Sequence, residues 1–295
     1  MSDAPLVEAS PAAETRIDSP LSEFWRRFRR KRVALGAGVV ILLIVAAAVA
    51  APWIAPYDLA TPDYENVLAG PSLTHLFGTD GYGRDIFSRV IWGGRISLSV
   101  GVISVAVGGV AGVLLGLVSG YFGGWLDTLI MRLSDVLFAF PGLLLAIGVV
   151  AVLGPGVSNV IWAVAVFSVP VFARLVRGDT LALKQAVYVQ AARSIGVRAP
   201  VLMLRHILPG TLPGVIVNAS LRIGTAILTA ASLSFLGLGA QPPSPEWGAM
   251  LADGRSYLGV ADQLTLFPGL AILVTVLAFN LLGDGLRDAL NQKLR

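Results

Sequence analysis

YVQAARSIGVRAPVLMLRHILP, residues 188–209, separates two apolar stretches and has the most distinctive local pattern in the chain. Tyr188 to Ser194 forms helix readily. Gly196 then permits a sharp reversal, Pro200 starts a second segment, and Pro209 closes the stretch before the next apolar run. The small Ala191 and Ala192 suit a helix that seats deeply in a groove of another protein. An ordinary connector is the competing reading.

Outward from this loop the chain is strongly apolar. Of 295 residues, 55% are hydrophobic and 14% are charged, where soluble domains carry roughly 25% charged residues; the mean hydropathy is +0.77. Six segments, at about 33–51, 96–119, 127–152, 160–176, 212–237 and 264–283, are long enough to cross a hydrocarbon layer of roughly 30 Å at about 1.5 Å per residue. The fold class expected is an all-α membrane protein with six transmembrane helices. The first run ends in AAAVAAP, like a signal-peptidase site. It is longer than the 7 to 15 residues usual for a signal peptide and follows a long polar region, so it reads as an uncleaved span.

The polar pieces complete the organisation. Residues 1–32 form a tail, without apolar periodicity to residue 23. From Ser22 the segment SEFWRRFRRKR sets Phe24, Trp25 and Phe28 among six basic residues, as an amphipathic helix in the lipid interface would; a solvated basic flank is the alternative. Residues 52–95 are an outer loop, 96–283 a five-helix core with a loop at 178–210 and another at 238–263, and 284–295 a second tail. Sixteen Lys and Arg, with Arg174 and Arg177 just before the 178–210 loop counted among them, lie on the side of the termini and that loop, and four (Arg84, Arg89, Arg95, Arg255) on the other. The positive-inside rule therefore predicts that both termini are cytoplasmic.

Several functions are excluded by what the chain lacks. With no Cys there is no thiol nucleophile, Cys-ligated zinc or iron–sulfur cluster. The basic residues are scattered beside apolar runs, which does not suit a nucleic-acid reader. Lys31, Lys184 and Lys293 are preceded by Arg30, Leu183 and Gln292, so none belongs to a GxxxxGK[ST] phosphate loop. GTDGYGRD (78–85) has some glycine spacing of that kind, but no apolar strand pattern follows it. His75 and His206 fall on opposite sides of the membrane and cannot share a metal. No GxSxG elbow occurs. If the chain pumps, another chain hydrolyses the nucleotide, and no cofactor or metal is expected on this one.

Within the spans, Gly108, Gly112, Gly116 and Gly120 clear one helix face for close packing. Asp127, Arg132 and Asp135 lie near one another, and an Arg132–Asp135 pair three residues apart would satisfy both. Arg222 lies roughly 16 Å beyond Thr211 at 1.5 Å per residue, where an unpaired Arg costs about 2.5 to 3.5 kcal/mol. With Asn218 one turn earlier it lines a translocation pathway or pairs with an acid of this or a partner chain. Trp247, beside three prolines, is a membrane-interface anchor or a receptor contact.

The 188–209 stretch resembles the EAA loop of ABC-transporter permeases: AA, then xxxG, then ILP about a dozen residues on, with Gln190 where the family usually has Glu. HLFGTDGYGRDIFSRVIWGGRISLSVG (75–101), ASLSFLGLGAQPPSPEWGAML (231–251) and NLLGDGLRDALNQKLR (280–295) resemble the dipeptide, oligopeptide and nickel importer permeases, specifically the DppC/OppC type. Gln292 departs from a common Pro. The resemblance covers the chain beyond residue 20 and implies the type I importer fold. It also implies a DppB/OppB-like partner permease, two ATPases holding ATP and Mg, and an extracytoplasmic substrate-binding protein at a bacterial or archaeal inner membrane. Coupling to the ATPases then falls to Tyr188, Gln190, Ala191, Ala192, Arg193, Gly196, His206 and Pro209. Short peptides lead the implied substrates, with nickel chelates, glutathione or haem as alternatives. A stand-alone proton-coupled carrier would want acids and histidines at midplane, which the last two spans lack before Asp284.

Overall fold

The computed structural model describes residues 20–290, and expectations for residues 1–19, Gln292 and Lys293 lie outside it. The described residues are helical, apart from loops and one isolated bridge between Thr79 and Asp85. In chain order the helices are α1 (Pro20–Arg29), α2 (Arg32–Val49), α3 (Ala51–Ile54), α4 (Ile86–Phe122), α5 (Gly124–Phe138), α6 (Gly142–Leu153) and α7 (Val157–Leu183). There follow α8 (Val187–Ser194), α9 (Ala199–Val201), α10 (Leu208–Phe235), α11 (Trp247–Gly254) and α12 (Gln263–Leu290). Five helices are long and apolar enough to cross a membrane, or six spans when the bent α5–α6 pair counts as one.

The chemistry of single residues accounts for the departures from the expected boundaries. α4 begins ten residues before the expected 96, because Asp85 caps it by accepting from the Ser88 amide at 2.7 Å. At 37 residues it is about 55 Å long at 1.5 Å per residue, more than one hydrocarbon layer. The apolar run 127–152 is two helices bent by 94°: Pro141 has no N–H and constrains Phe140 before it, so the chain cannot continue as α-helix there. Pro209 does not close the 178–210 loop. A π-register turn over Leu202–Ile207 joins α9 to α10 and carries the helix past the missing proline N–H. The non-helical part of that loop is correspondingly shorter.

The central core lies where α4, α6, α7 and α10 meet, around Val105, Ala146, Val164, Phe172, Ala226 and Leu233. α2 packs against α12 and α4. At the end bearing the termini, Phe28 of α1 is buried with Ala34 and Ala289, and Lys31 bonds Asp288 at 2.6 Å. Part of the apolar face assigned to lipid thus packs on α12, while Trp25 stays exposed.

Candidate functional site

α8 stands at the termini end between α7 and the π turn. Val189 and Ala192 point into a cluster with Leu117, Val176, Leu202 and Ile207. Gly196 adopts φ +83°. Its amide bonds the Arg193 carbonyl at 3.0 Å, and the Val197 amide bonds Ala192 at 3.2 Å. These two bonds are the Schellman pattern, with glycine at the left-handed position. The Tyr188 hydroxyl donates to the His206 carbonyl at 3.2 Å, so Tyr188 and His206 pin α8 to the π turn. Gln190 donates to the Gln185 carbonyl at 3.1 Å and closes the start of the helix.

The outward face of α8 differs from the one expected. Ala192 is 8% exposed and serves this chain's own core, so only Ala191 of the Ala pair faces outward. The apolar face presented is Val187, 83% exposed, with Ala191 and Ile195, 82% exposed, spaced four apart on one helix side. Tyr188 and Arg193 flank it, both exposed. The 187/191/195 spacing is visible in the sequence, but the Ala-Ala pair drew the reading away from it.

The glycine stripe packs within the chain. A Cβ at Gly112 would meet the Val169 carbonyl oxygen at 2.5 Å, at Gly116 that of Ala173 at 2.5 Å, and at Gly120 that of Arg177 at 2.9 Å; Gly108 abuts the Ala165 carbonyl. Every fourth residue of α4 thus rests on every fourth carbonyl of α7. The same helix pair anchors α5. Arg177 holds Asp127 through Nη2 at 2.7 Å, and Ser119 donates to the same carboxylate. Asp135 pairs with Arg174 at 2.7 Å. The expected Arg132–Asp135 pair does not form, because α7 offers arginines across the helix interface.

Asn218 and Arg222 lie on one side of α10. Asn218 donates to the Gly214 carbonyl at 3.1 Å and lines a cavity of about 970 Å³ with Asp179, Leu221 and Phe24 of α1. The Arg222 guanidinium lies over the Phe167 ring at 5.3 Å, and no ion pair to it forms among the described residues. The intrachain acid expected as one partner for Arg222 is therefore absent from the described residues.

The opposite end is a closed polar knot. Asp85 accepts from His75 Nδ1 at 3.0 Å and from Ser88 Oγ at 2.7 Å. Asp80 accepts from Arg84 Nε at 2.7 Å, and Arg89 donates to the Leu59 and Pro243 carbonyls. Trp247 is neither an interface anchor nor a receptor contact. It is 2% exposed, and its indole N–H donates to the Val90 carbonyl at 2.8 Å. Gly93 and Gly94 leave room for its ring. Glu246 caps α11 and accepts from Ser97.

Two family models match this chain. Residues 112–295 match the binding-protein-dependent transport system inner membrane component, and residues 19–71 match the N-terminal TM domain of oligopeptide transport permease C. The chain belongs to this family of ABC-importer permeases. The glutathione transport system permease protein GsiD of Escherichia coli O6:K15:H31 is 59% identical over 280 residues, which is 95% of this chain and 92% of that protein. The GsiD of Pectobacterium atrosepticum is 57% identical over the same length, covering 95% and 93%. Among solved structures, a chain of the MetNI methionine ABC transporter in inward-facing conformations aligns at a TM-score of 0.55 and 19% identity, over 70% of this chain and 97% of that one.

This permease therefore has the type I importer fold. Importers of this class work with ATPases, a substrate-binding protein and a second permease subunit, which accounts for a pump component without a phosphate loop. The family's inner-membrane description agrees with the multi-pass architecture.

Proposed function

We propose that this permease forms half of the channel of an ATP-driven, binding-protein-dependent importer of glutathione. The other half is a DppB/OppB-like subunit. The termini and α8 lie in the cytoplasm, where basic residues outnumber those of the other side, and the Trp247 end faces the binding protein. The observation that carries the coupling role is the outward face of α8. Val187, Ala191 and Ile195 form an exposed apolar edge on a helix locked by Tyr188 and the Gly196 cap, which suits helix-in-groove docking to an ATPase. ATP closes the ATPase pair, α8 moves with it, and the spans turn from inward-open to outward-open. Moving a two-state equilibrium from 1:99 to 99:1 takes about 5.5 kcal/mol of differential binding, and a docked helix on each half can transmit that.

The motifs alone put di- and oligopeptides first. The relatives are named for glutathione, which moves the reading to that tripeptide. The test is uptake by vesicles holding the reconstituted complex. ATP-dependent, vanadate-sensitive accumulation of glutathione is the expected result. Uptake by this chain alone would overturn the importer, and dipeptide uptake without glutathione uptake would restore the broader peptide reading. Gly196→Arg is expected to abolish ATPase capture in a pull-down while membrane insertion persists.

A further inference from the structure

Five polar residues of α10, namely Asn218, Arg222, Thr225, Thr229 and Ser232, are spaced four, three, four and three apart. That spacing keeps them on one helix face over about 21 Å. Its two end residues each line a cavity, and Arg222, Thr225 and Thr229 between them line neither. Asn218 lines the one of about 970 Å³ at the termini end, and Ser232 lines a second of about 360 Å³, with Leu143, Leu228 and Leu251. The hydroxyls of Thr225, Thr229 and Ser232 donate to the carbonyls of Arg222, Thr225 and Leu228 at 3.0, 2.8 and 2.8 Å. Their donors are used inside the helix, which leaves their oxygen lone pairs free to accept.

Arg222 lies midway between the ends of α10, in the middle of this stripe. Its guanidinium rests on Phe167. Phe167 is held in turn by Gly142 at the α5–α6 break, where a Cβ would come within 2.5 Å of the ring. Asp179 and Glu23, the two acids on the larger cavity's wall, make no ion pair with Arg222, nor does any other carboxylate among the described residues. A cation is costly in the middle of a span, and one held there without an acid beside it is a candidate for a ligand or ion path. The ring offers a cationic side chain a flat support without using its forked N–H donors, and that fork matches a carboxylate in a two-point hydrogen-bonded pair.

We propose that Arg222 is the substrate-selecting residue of the translocation groove and takes a carboxylate of the passing small peptide. The hydroxyl oxygens of Thr225 and Thr229 accept from its ammonium or amide N–H groups. The assignment rests on the peptide-import reading above, and glutathione, with two carboxylates and one ammonium, has the matching charges.

The test uses the whole complex, with partner permease, ATPases and binding protein, reconstituted in vesicles and supplied with radiolabelled glutathione. R222Q removes the charge and should lower uptake about ten- to a hundredfold, the range for losing a charge-assisted hydrogen bond. R222K keeps the charge but loses the fork and should fall between wild type and R222Q, and both variants should copurify with the partner permease. Unchanged uptake by R222Q would overturn the proposal. So would loss of the partner permease from purified R222Q, because Arg222 would then be pairing with an acid of that subunit. If the wild-type complex carries no glutathione but does carry another peptide, the glutathione reading fails and the same two variants judge Arg222 on that peptide.

Discussion

Two long helices of this permease each carry a regular stripe, and the stripes have opposite consequences. On α4, Gly108, Gly112, Gly116 and Gly120 remove every side chain from one face, and α7 comes down onto it until its carbonyls touch. On α10, Asn218, Arg222, Thr225, Thr229 and Ser232 keep side chains whose polar atoms bond no neighbouring helix among the described residues, and the two end residues each line a cavity. Small residues at four-residue spacing close an interface; polar ones at alternating spacing hold a groove open. One stripe makes a rigid pair, and the other is the face we assign to passage.

The comparison can be broken most severely on the closed side. Gly112→Leu drives a branched side chain into the Val169 carbonyl and Phe172, and is expected to cost about 3 kcal/mol or more. Thermal unfolding in detergent should drop by several degrees or the protein should fail to accumulate. Gly148, with nothing within 4 Å of a built Cβ, is the control: Gly148→Ala should raise stability by about 0.5 to 1 kcal/mol. Trp247→Phe leaves the Val90 carbonyl without its indole donor and should cost about 1 to 3 kcal/mol, read by the same unfolding assay. On the open side, Thr225→Val and Thr229→Val together should leave unfolding within about 0.5 kcal/mol while changing transport; a large loss of stability would mean the groove is packed against protein. Ile195→Asp should likewise spare stability and weaken ATPase capture in a pull-down.

The smallest effect concerns the outer loop. Hydrogen bonds from Thr61 and the Ala60 amide hold the Asp58 carboxyl below its usual 3.8, and those from Asn66 and the Glu65 amide do the same for Asp63. A depressed carboxylate stabilises fully above the usual value and loses that contribution as pH falls through its folded value. Protection of the Ala60 and Glu65 amides, measured against their intrinsic exchange rate at each pH, should therefore fall below about pH 4. Unchanged protection down to about pH 2 would show that these two turns hold without their carboxylates.

The spans were legible because hydropathy reports on lipid, a uniform solvent that every apolar segment meets alike. Their breaks were less so. The run 127–152 has the composition of one span, and only Pro141 signals that it bends. Charged partners were the least legible: Asp127 and Asp135 have Arg132 close by in sequence, yet they pair with Arg177 and Arg174 of another helix, which depends on how α5 leans on α7. Trp247 misled for the same reason. Beside prolines in a polar loop it looked exposed, whereas Gly93 and Gly94 on α4, more than 150 positions away, clear the space that buries it. In the 188–209 loop the left-handed turn at Gly196 was readable from residue type, but not which alanine faces inward. The α10 stripe was read at only two of its five positions, because Thr and Ser within a span conceal their polarity by bonding their own helix.

The clasp between α1 and α12 sets an order in time. Phe28, Ala34 and Lys31 reach their packing only against Ala289, Gly285 and Asp288, and more than 200 residues separate α2 from α12. At about 5 to 20 residues per second of synthesis, the first span waits roughly 10 to 40 seconds for the last. During that interval its other side can rest on α4, while the face bearing Ala34 stays in lipid, which the uncharged run from Val33 to Ala51 allows. That face is among the last surfaces to be packed, and α1 and α2 meet α12 only when the last span is in place.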